Sequence, residues 1–330
     1  MLAIGFLLLL VLLWKTDLHQ VWFHLRQIPP IILMALATLQ LMNRILVAVQ
    51  WQRLAREKSL DASLFQMLHL NMWGTFFEGI TPSVKFGGEA VKVWWMKRHL
   101  GWKTDEAATL LMTQKIISGS MFGLFFLFSF LAAGKWFDFQ GVFGMVEDLW
   151  EFTHLIPLGF VLLLVSLCAI LIGKKNSGMM ETMGNWITSV CGYVFSDMRR
   201  LAQRPGPLLM HGLLSGLIWG NYAVQTWVAA TGMGIDAGFF KLAAVVFIAY
   251  AAGMIPLLPG GTGTFEGAMI LVLIQMGIEP HLSLALTLVV RTATFWLAFG
   301  ISGIFLALFW LQTHLVKDSG LSKVLSSLLT

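Results

Sequence analysis

Cysteine is nearly missing: Cys168 and Cys191 are the two in a chain of 330 residues. They make no disulfide framework and have no metal-ligand spacing. Cys168 falls in an apolar run and reads as a small buried hydrophobe. Charge is scarce as well. Asp, Glu, Lys and Arg make up 12% of the chain and the net charge is +5, against 57% hydrophobic residues and a mean hydropathy of +0.77. A soluble domain of this size does not carry so much apolar surface, so the composition points to a polytopic membrane protein. The eight histidines are scattered, and no pair stands at metal-site spacing with carboxylate support, so neither a metal nor another cofactor is expected. No Ser/His/Asp or Cys/His arrangement occurs, and the chain is not expected to be an enzyme. The glycine cluster Gly260-Gly261-Thr262-Gly263-Thr264 is not followed by Lys-Ser/Thr, which excludes a nucleotide P-loop. The basic residues lie in loops between apolar runs. They orient the chain on an anionic leaflet rather than bind nucleic acid.

What the sequence does contain is long apolar runs. The first, Leu2 to Trp14, has no positive n-region and no small-residue cleavage site, and it reads as a first span rather than a signal peptide. Others fall at 28–50, 64–80, 89–99, 106–133, 152–173, 208–231, 239–255, 264–278 and 282–313. Those beginning at 28, 106, 152, 208 and 282 are long enough to cross a ~30 Å hydrocarbon core as helices. The pairs 64–80/89–99 and 239–255/264–278 are shorter and broken by Pro/Gly-rich segments, 81–88 and 256–263. Proline ends a helix and glycine permits the turn, so each pair reads as a re-entrant helical hairpin. Non-helical backbone at that depth survives only when buried in protein or lining a wet cavity.

The two broken pairs carry one repeated pattern. Pro82, Glu89, Gly101 and Lys115 recur as Pro259, Glu266, Gly277 and Arg291, with seven residues from proline to glutamate in both. Carboxylates and cations are expensive in apolar sequence, and a repeated broken segment is a pointer to a transport site at a repeat interface. Lys and Arg cluster after the second span, after the first hairpin, in the central loop and in the tail. If the hairpins return to the side they entered, these fall on one side of the membrane. Unit one (28–133) and unit two (208–313) then run in opposite senses. The expected fold is therefore an all-α polytopic membrane protein, one domain over 1–330, built as an inverted-topology repeat with two re-entrant hairpins. Between the units, 174–205 reads as a basic amphipathic connector on the cytoplasmic leaflet, with Met179, Met183, Trp186, Val190, Val194, Met198 and Leu201 at helical spacing. A core helix of a small cytoplasmic subdomain is the plainer alternative.

Candidate headgroup-binding residues follow from this frame, each beside a structural reading. Glu89 and Glu266 stand at the start of the second half-helix, where a carboxylate satisfies the helix dipole. Lys115 and Arg291 are placed to neutralise them. Gly260, Gly261, Thr262 and Gly263 offer backbone N–H groups to an anion, or merely allow a tight turn. Arg44 and Asn221 each lie thirty-eight residues before a repeat proline. Arg44 suits bidentate phosphate binding, or pairing with Glu78 or Glu89. Lys85, in the first break, adds charge for a headgroup or snorkels to water.

The segments Pro82–Glu89 with Lys97-Arg98-His99-Leu100-Gly101, and Leu258 through Glu266, resemble the lysylphosphatidylglycerol-synthase transmembrane family, also called flippase-like membrane proteins. The second motif is the more specific; the first has Ser83 and Val84 after its proline, where the family has glycine and arginine. The resemblance spans nearly the whole chain. It implies a multi-pass protein of a bacterial cytoplasmic membrane that moves a modified phospholipid or a polyprenyl-linked lipid between leaflets. The aminoacyl-transferase domain of multiple peptide resistance factors is not expected in the 17 residues after 313, so a stand-alone member that does not itself make aminoacyl-lipid is implied. Expected partners are the lipid and a separate lipid synthase; oligomerisation is left open. Two rival readings stand beside transport: a lipid-modifying membrane enzyme using Glu89 or Glu266 as base, and a non-transporting partner of a synthase.

Overall fold

The structure is a computed structural model that describes residues 17–81, 86–133, 177–254 and 259–318. The expectations for Leu2–Trp14, for the run 152–173 and for Lys85 lie outside these residues. Among the described residues the regular elements are all helical. They are α1 (Leu18–Arg26), α2 (Pro30–Glu57), α3 (Leu64–Ile80), α4 (Phe86–His99), α5 (Thr104–Ala133), α6 (Ser177–Ala202), α7 (Pro205–Gly232), α8 (Phe239–Gly253), α9 (Thr264–Gln275), α10 (Pro280–Arg291) and α11 (Leu297–Asp318). A 3₁₀ turn at Pro259–Gly261 precedes α9, and a π turn at Thr292–Trp296 joins α10 to α11.

Among the described residues three stretches are long and apolar enough to cross a membrane: Pro30–Glu57, Thr104–Ser129 and the continuous Pro280–Gln312. The helix α7 is long enough too, since 28 residues rise about 42 Å. It falls short on composition because its inward face carries His211, Ser215, Asn221 and Gln225, all buried. Proline occupies the first position of α2, α7 and α10, where its missing N–H costs nothing. Exposed Leu33, Leu41, Ile45, Leu124, Leu213 and Leu308 give the outer surface the apolar character that hydrocarbon requires.

The broken pairs are short for definite local reasons. Ser63 caps α3 through a full capping box with Gln66 (3.1 and 2.8 Å). The helix stops at Thr81, which is extended because a proline follows it. With 17, 14, 15 and 12 residues, α3, α4, α8 and α9 each rise less than the ~30 Å core. The repeated glycines end the second helix of each pair. Gly101 and Gly277 have φ of +69° and +83°, and past Gly277 the Ile278 N–H reaches back to the Leu273 carbonyl at 3.1 Å.

Within each pair the helices pack on one another, α3 on α4 and α8 on α9. Each first helix also packs on the last helix of the other unit: α3 on α11 (Phe76 stacks on Phe299, 5.3 Å) and α8 on α5 (Phe125–Phe247, 5.5 Å). The helices α2 and α7 run antiparallel at the centre, joined by Asn221 Nδ2 to the Leu39 carbonyl (3.0 Å), Gln225 Nε2 to Gln40 Oε1 (3.3 Å) and Gln50 Nε2 to Ser215 Oγ (2.5 Å). Lipid gives helices no hydrophobic reason to associate, so packing and such hydrogen bonds carry the contact. One apolar cluster joins α2 to α5, with Trp51, Leu54, Met67, Leu70, Met96 and Leu110. A second, with Phe247, Phe265, Met269, Leu273 and Leu286, joins α7 to α10. The expected helix at Met179–Leu201 is present as α6; Val190 and Leu201 are buried, and Lys58 at the end of α2 is paired with Asp197.

Gly261 has φ +70°, and an added Cβ would strike the Gly253 carbonyl and backbone. Gly277 shares the left-handed backbone but has open space around it. Gly277→Ala is expected to cost about 1–2 kcal/mol through φ alone. Gly261→Ala is expected to cost clearly more; thermal unfolding of both variants in detergent, with equal shifts, would contradict the close approach.

Candidate functional site

Repeat residues far apart in sequence meet in pairs. In the first unit, Lys115 Nζ of α5 lies 2.5 Å from Glu89 Oε1 of α4, and Lys92 Nζ lies 3.2 Å from the same oxygen. In the second, Arg291 Nε of α10 lies 2.8 Å from Glu266 Oε1 of α9. The Arg291 Nε–H is not aligned on the carboxylate, so this contact is coulombic rather than a directed hydrogen bond. The guanidinium is fixed by other contacts: Nη2 donates to the Gly260 carbonyl, and the Phe265 and Phe295 rings lie 4.7 and 4.3 Å from its carbon. Each broken pair is thereby tied by charge to the helix that follows it.

The glycine turn acts on the protein's own carboxylate. Gly263, at φ +87°, caps α9, and its N–H donates to Glu266 Oε2 at 2.6 Å. Gly260 turns its carbonyl to Arg291. Thr264 Oγ1 closes the turn on the Gly261 carbonyl at 3.0 Å, and Thr262 lies half-buried within it. The Gly263 donor expected to face a ligand anion is thus engaged by Glu266.

A cavity of about 190 Å³ lies where the two broken pairs, α2, α5, α7 and α10 converge. Arg44, Lys92, Lys115 and Arg291 line it, with Glu78, Gln114 and the Gly260–Gly261 turn. Among the described lining residues, four cations therefore face one carboxylate. Glu89 and Glu266 stand behind their cations and are not among the lining residues, nor are Asn221, Thr262 and Gly263. Arg44 is positioned by hydroxyls: Nη1 donates to Thr75 Oγ1 (3.3 Å) and Nη2 to Tyr222 Oη (3.1 Å), while its buried Nε has no hydrogen-bond partner among the described residues. Asn221 is committed to the α2–α7 seam through Leu39 and Gln225.

Four features of the site were not anticipated from sequence. Lys92 is 8% exposed and reaches over Trp51, 5.3 Å from the ring centroid. Gly74 makes its room, since a Cβ there would overlap the Lys92 stem. Its signal was the position three residues after Glu89, on the same helix face. Tyrosine rarity was a second signal: of three in the chain, Tyr222 and Tyr250 both line the cavity, rings 4.9 Å apart. Third, the glutamines 40, 50, 114 and 225 are all buried, and 50 and 114 are hydrogen-bonded at 3.2 Å. Fourth, the run 282–313 is not a regular helix. The π turn opens directly after Arg291, and the carbonyl of Thr294 inside it accepts from Gln40 Nε2 at 3.0 Å. Such turns mark functional positions in helices.

An all-helical membrane protein with paired charges buried around a cationic cavity is the class that fold and site define. The sequence model of the lysylphosphatidylglycerol synthase TM region matches residues 1–302, and the chain belongs to that family. It is 23% identical to a UPF0104 membrane protein of Methanothermobacter thermautotrophicus over 302 residues, covering 85% of this chain and 86% of that protein. A UPF0104 membrane protein of Pyrococcus horikoshii is 22% identical, over 92% of this chain and 95% of its own length. A third, of Methanocaldococcus jannaschii, is 21% identical over 89% and 90%.

Glu266→Ala leaves Arg291, itself 4% exposed, without its carboxylate, a loss of about 3–5 kcal/mol for a buried charge. Glu89→Ala is expected to cost a comparable amount: Lys115, with its side chain 39% exposed, is screened by water, but Lys92, 8% exposed, also loses its carboxylate. The double variant Glu266→Ala/Arg291→Leu should recover part of the loss. Thermal unfolding in detergent reads all three, and additive losses would show the pair is not coupled.

Proposed function

We propose that this protein binds a lipid with an anionic, phosphate-bearing headgroup and moves it between leaflets, the headgroup passing through the cationic cavity while the chains stay in the bilayer. The observation that carries this is the sidedness of the charges. Cations point into the cavity and two of their carboxylates stand outside it, so the space is prepared for an anion from elsewhere. In a low-dielectric setting an unpaired headgroup costs several kcal/mol, and Arg44, Lys92, Lys115 and Arg291 offset that cost. Membership in a family whose name refers to lysylphosphatidylglycerol supports a lipid as the source of the anion.

The same reading takes the two broken pairs as re-entrant hairpins of an inverted repeat, unit one at 28–133 and unit two at 208–313. Three features support it. The central helices α2 and α7 are antiparallel. The two units exchange contacts reciprocally, α3 on α11 and α8 on α5. The repeated glutamate–cation pairs approach one cavity from both units. The connector α6 belongs on the cytoplasmic leaflet with the basic end of α2, to which Lys58–Asp197 joins it; Arg204, between α6 and α7, lies 3.9 Å from Glu57 of the same end. Asp61, before α3, and Asp236, before α8, are both exposed. Cysteines placed there are expected to react with an impermeant reagent from opposite faces of the membrane, and reaction from one face would refute the inversion.

Transport is tested in vesicles containing a fluorescent phosphatidylglycerol, with leaflet exchange followed by reductive quenching. Arg44→Ala and Arg291→Ala are each expected to slow exchange about tenfold or more, the scale of one lost hydrogen bond to a charge. Folded variants that exchange lipid at the wild-type rate would remove the cavity from the pathway. No catalytic arrangement is proposed for Glu89 or Glu266, since each is held by its cation.

A further inference from the structure

We propose that the groove between α5 and α7 holds the hydrocarbon chain of the lipid whose headgroup enters the cationic cavity, so that the two voids form one amphiphilic site. This deepens the lipid reading and rests on it. The groove encloses about 640 Å³. Ile117, Leu124 and Phe125 of α5 line it opposite Leu209, Leu213 and Leu217 of α7, with Ser120 the polar side chain among the lining residues. It lies back to back with the cavity. On α5, Lys115 and Ser118 line the cavity while Ile116 and Ile117 line the groove. On α7, Ile218 and Trp219 line the cavity while Gly216 and Leu217 line the groove. A cationic space and an apolar space are thus separated by the thickness of one two-helix wall. Trp219 Nε1 bars that wall by donating to the Ser118 carbonyl (3.0 Å) and hydroxyl (3.1 Å).

The glycines of α7 give the groove its depth. A Cβ added at Gly212 would meet Met121 at 3.7 Å, and one at Gly216 would meet Phe125 at 3.9 Å, both ordinary contacts. These glycines are therefore not needed for close helix approach; they leave room. An apolar groove suits a flexible hydrocarbon chain, and the adjoining cations suit a phosphate headgroup.

The test places a photoreactive residue at Leu213 in the groove and, separately, at Leu271, which is exposed on α9. The full chain is reconstituted in vesicles of equal phosphatidylglycerol and phosphatidylcholine, irradiated, and the adducts identified by mass spectrometry. Phosphatidylglycerol is expected to exceed phosphatidylcholine about fivefold at Leu213, a preference near 1 kcal/mol, and to show none at Leu271. Arg44→Gln is expected to erase the preference at Leu213. Equal lipid ratios at both positions would overturn the proposal. So would a crosslink from Leu213 to residues 152–173 of the same chain, or to a second copy. If those results appear while leaflet exchange still depends on Arg44, the groove assignment falls and the headgroup reading stands. If exchange is missing but the Leu213 preference remains, binding stands and transport falls. As a second variant, Gly216→Phe, which fills the groove, is expected to block exchange; wild-type exchange in the folded variant would also overturn the groove.

Discussion

A charge placed in hydrocarbon needs a counter-charge, and this rule organises the molecule. Glu89 and Glu266 sit near the starts of helices too short to cross a bilayer, where the helix dipole favours them. Their cations come from the next long helix, Lys115 on α5 and Arg291 on α10. The pairing fixes where each broken segment stops and which helix it leans on. It also explains the glycines: the chain can turn tightly enough to bring Gly263 N–H to Glu266 only because Gly260, Gly261 and Gly263 accept positive φ.

The two pairs are chemically unlike despite their matching positions. Around Glu89 two lysines share one carboxylate, and one of them is well exposed to the cavity. Around Glu266 a single arginine is held between two phenylalanine rings and a backbone carbonyl. A lysine is a compact point charge on a flexible stem, whereas arginine holds several directions at once. The first half-site therefore has freedom to re-pair, and the second is a fixed anchor.

Much of this was legible in the sequence, and the legible parts share a cause. Composition set the solvent, and solvent set the all-helical class. The matched spacing of Pro82, Glu89, Gly101 and Lys115 with Pro259, Glu266, Gly277 and Arg291 was readable because prolines, glycines and charges stand out against apolar residues. The helix at Met179–Leu201 was readable because one face is apolar at helical spacing. Apart from Lys92, what was not legible was polar but uncharged. Gln40, Gln50 and Gln225 look unremarkable in a list of residues, and their burial follows only once α2 lies against α7. The facing of the charges was hidden for a related reason, because spacing tells which residues share a turn and not which side of a cation its carboxylate stands on. The π turn left no trace at all, since Thr292–Trp296 has no proline or glycine to mark it.

That turn gives the long α10–α11 rod an internal phase shift. An ordinary helix advances about 100° per residue, so one residue too many in a turn rotates everything beyond it by about that amount. Upstream, the rod aims Arg291 at the cavity; downstream, the same rod presents Phe299 and Ser302 to α3. No regular helix of this sequence satisfies both aims at once. A single-residue deletion inside the turn would remove the surplus residue and leave a straight rod with both ends still aimed, whereas a regular helix through all the present residues would turn Phe299 and Ser302 away from α3.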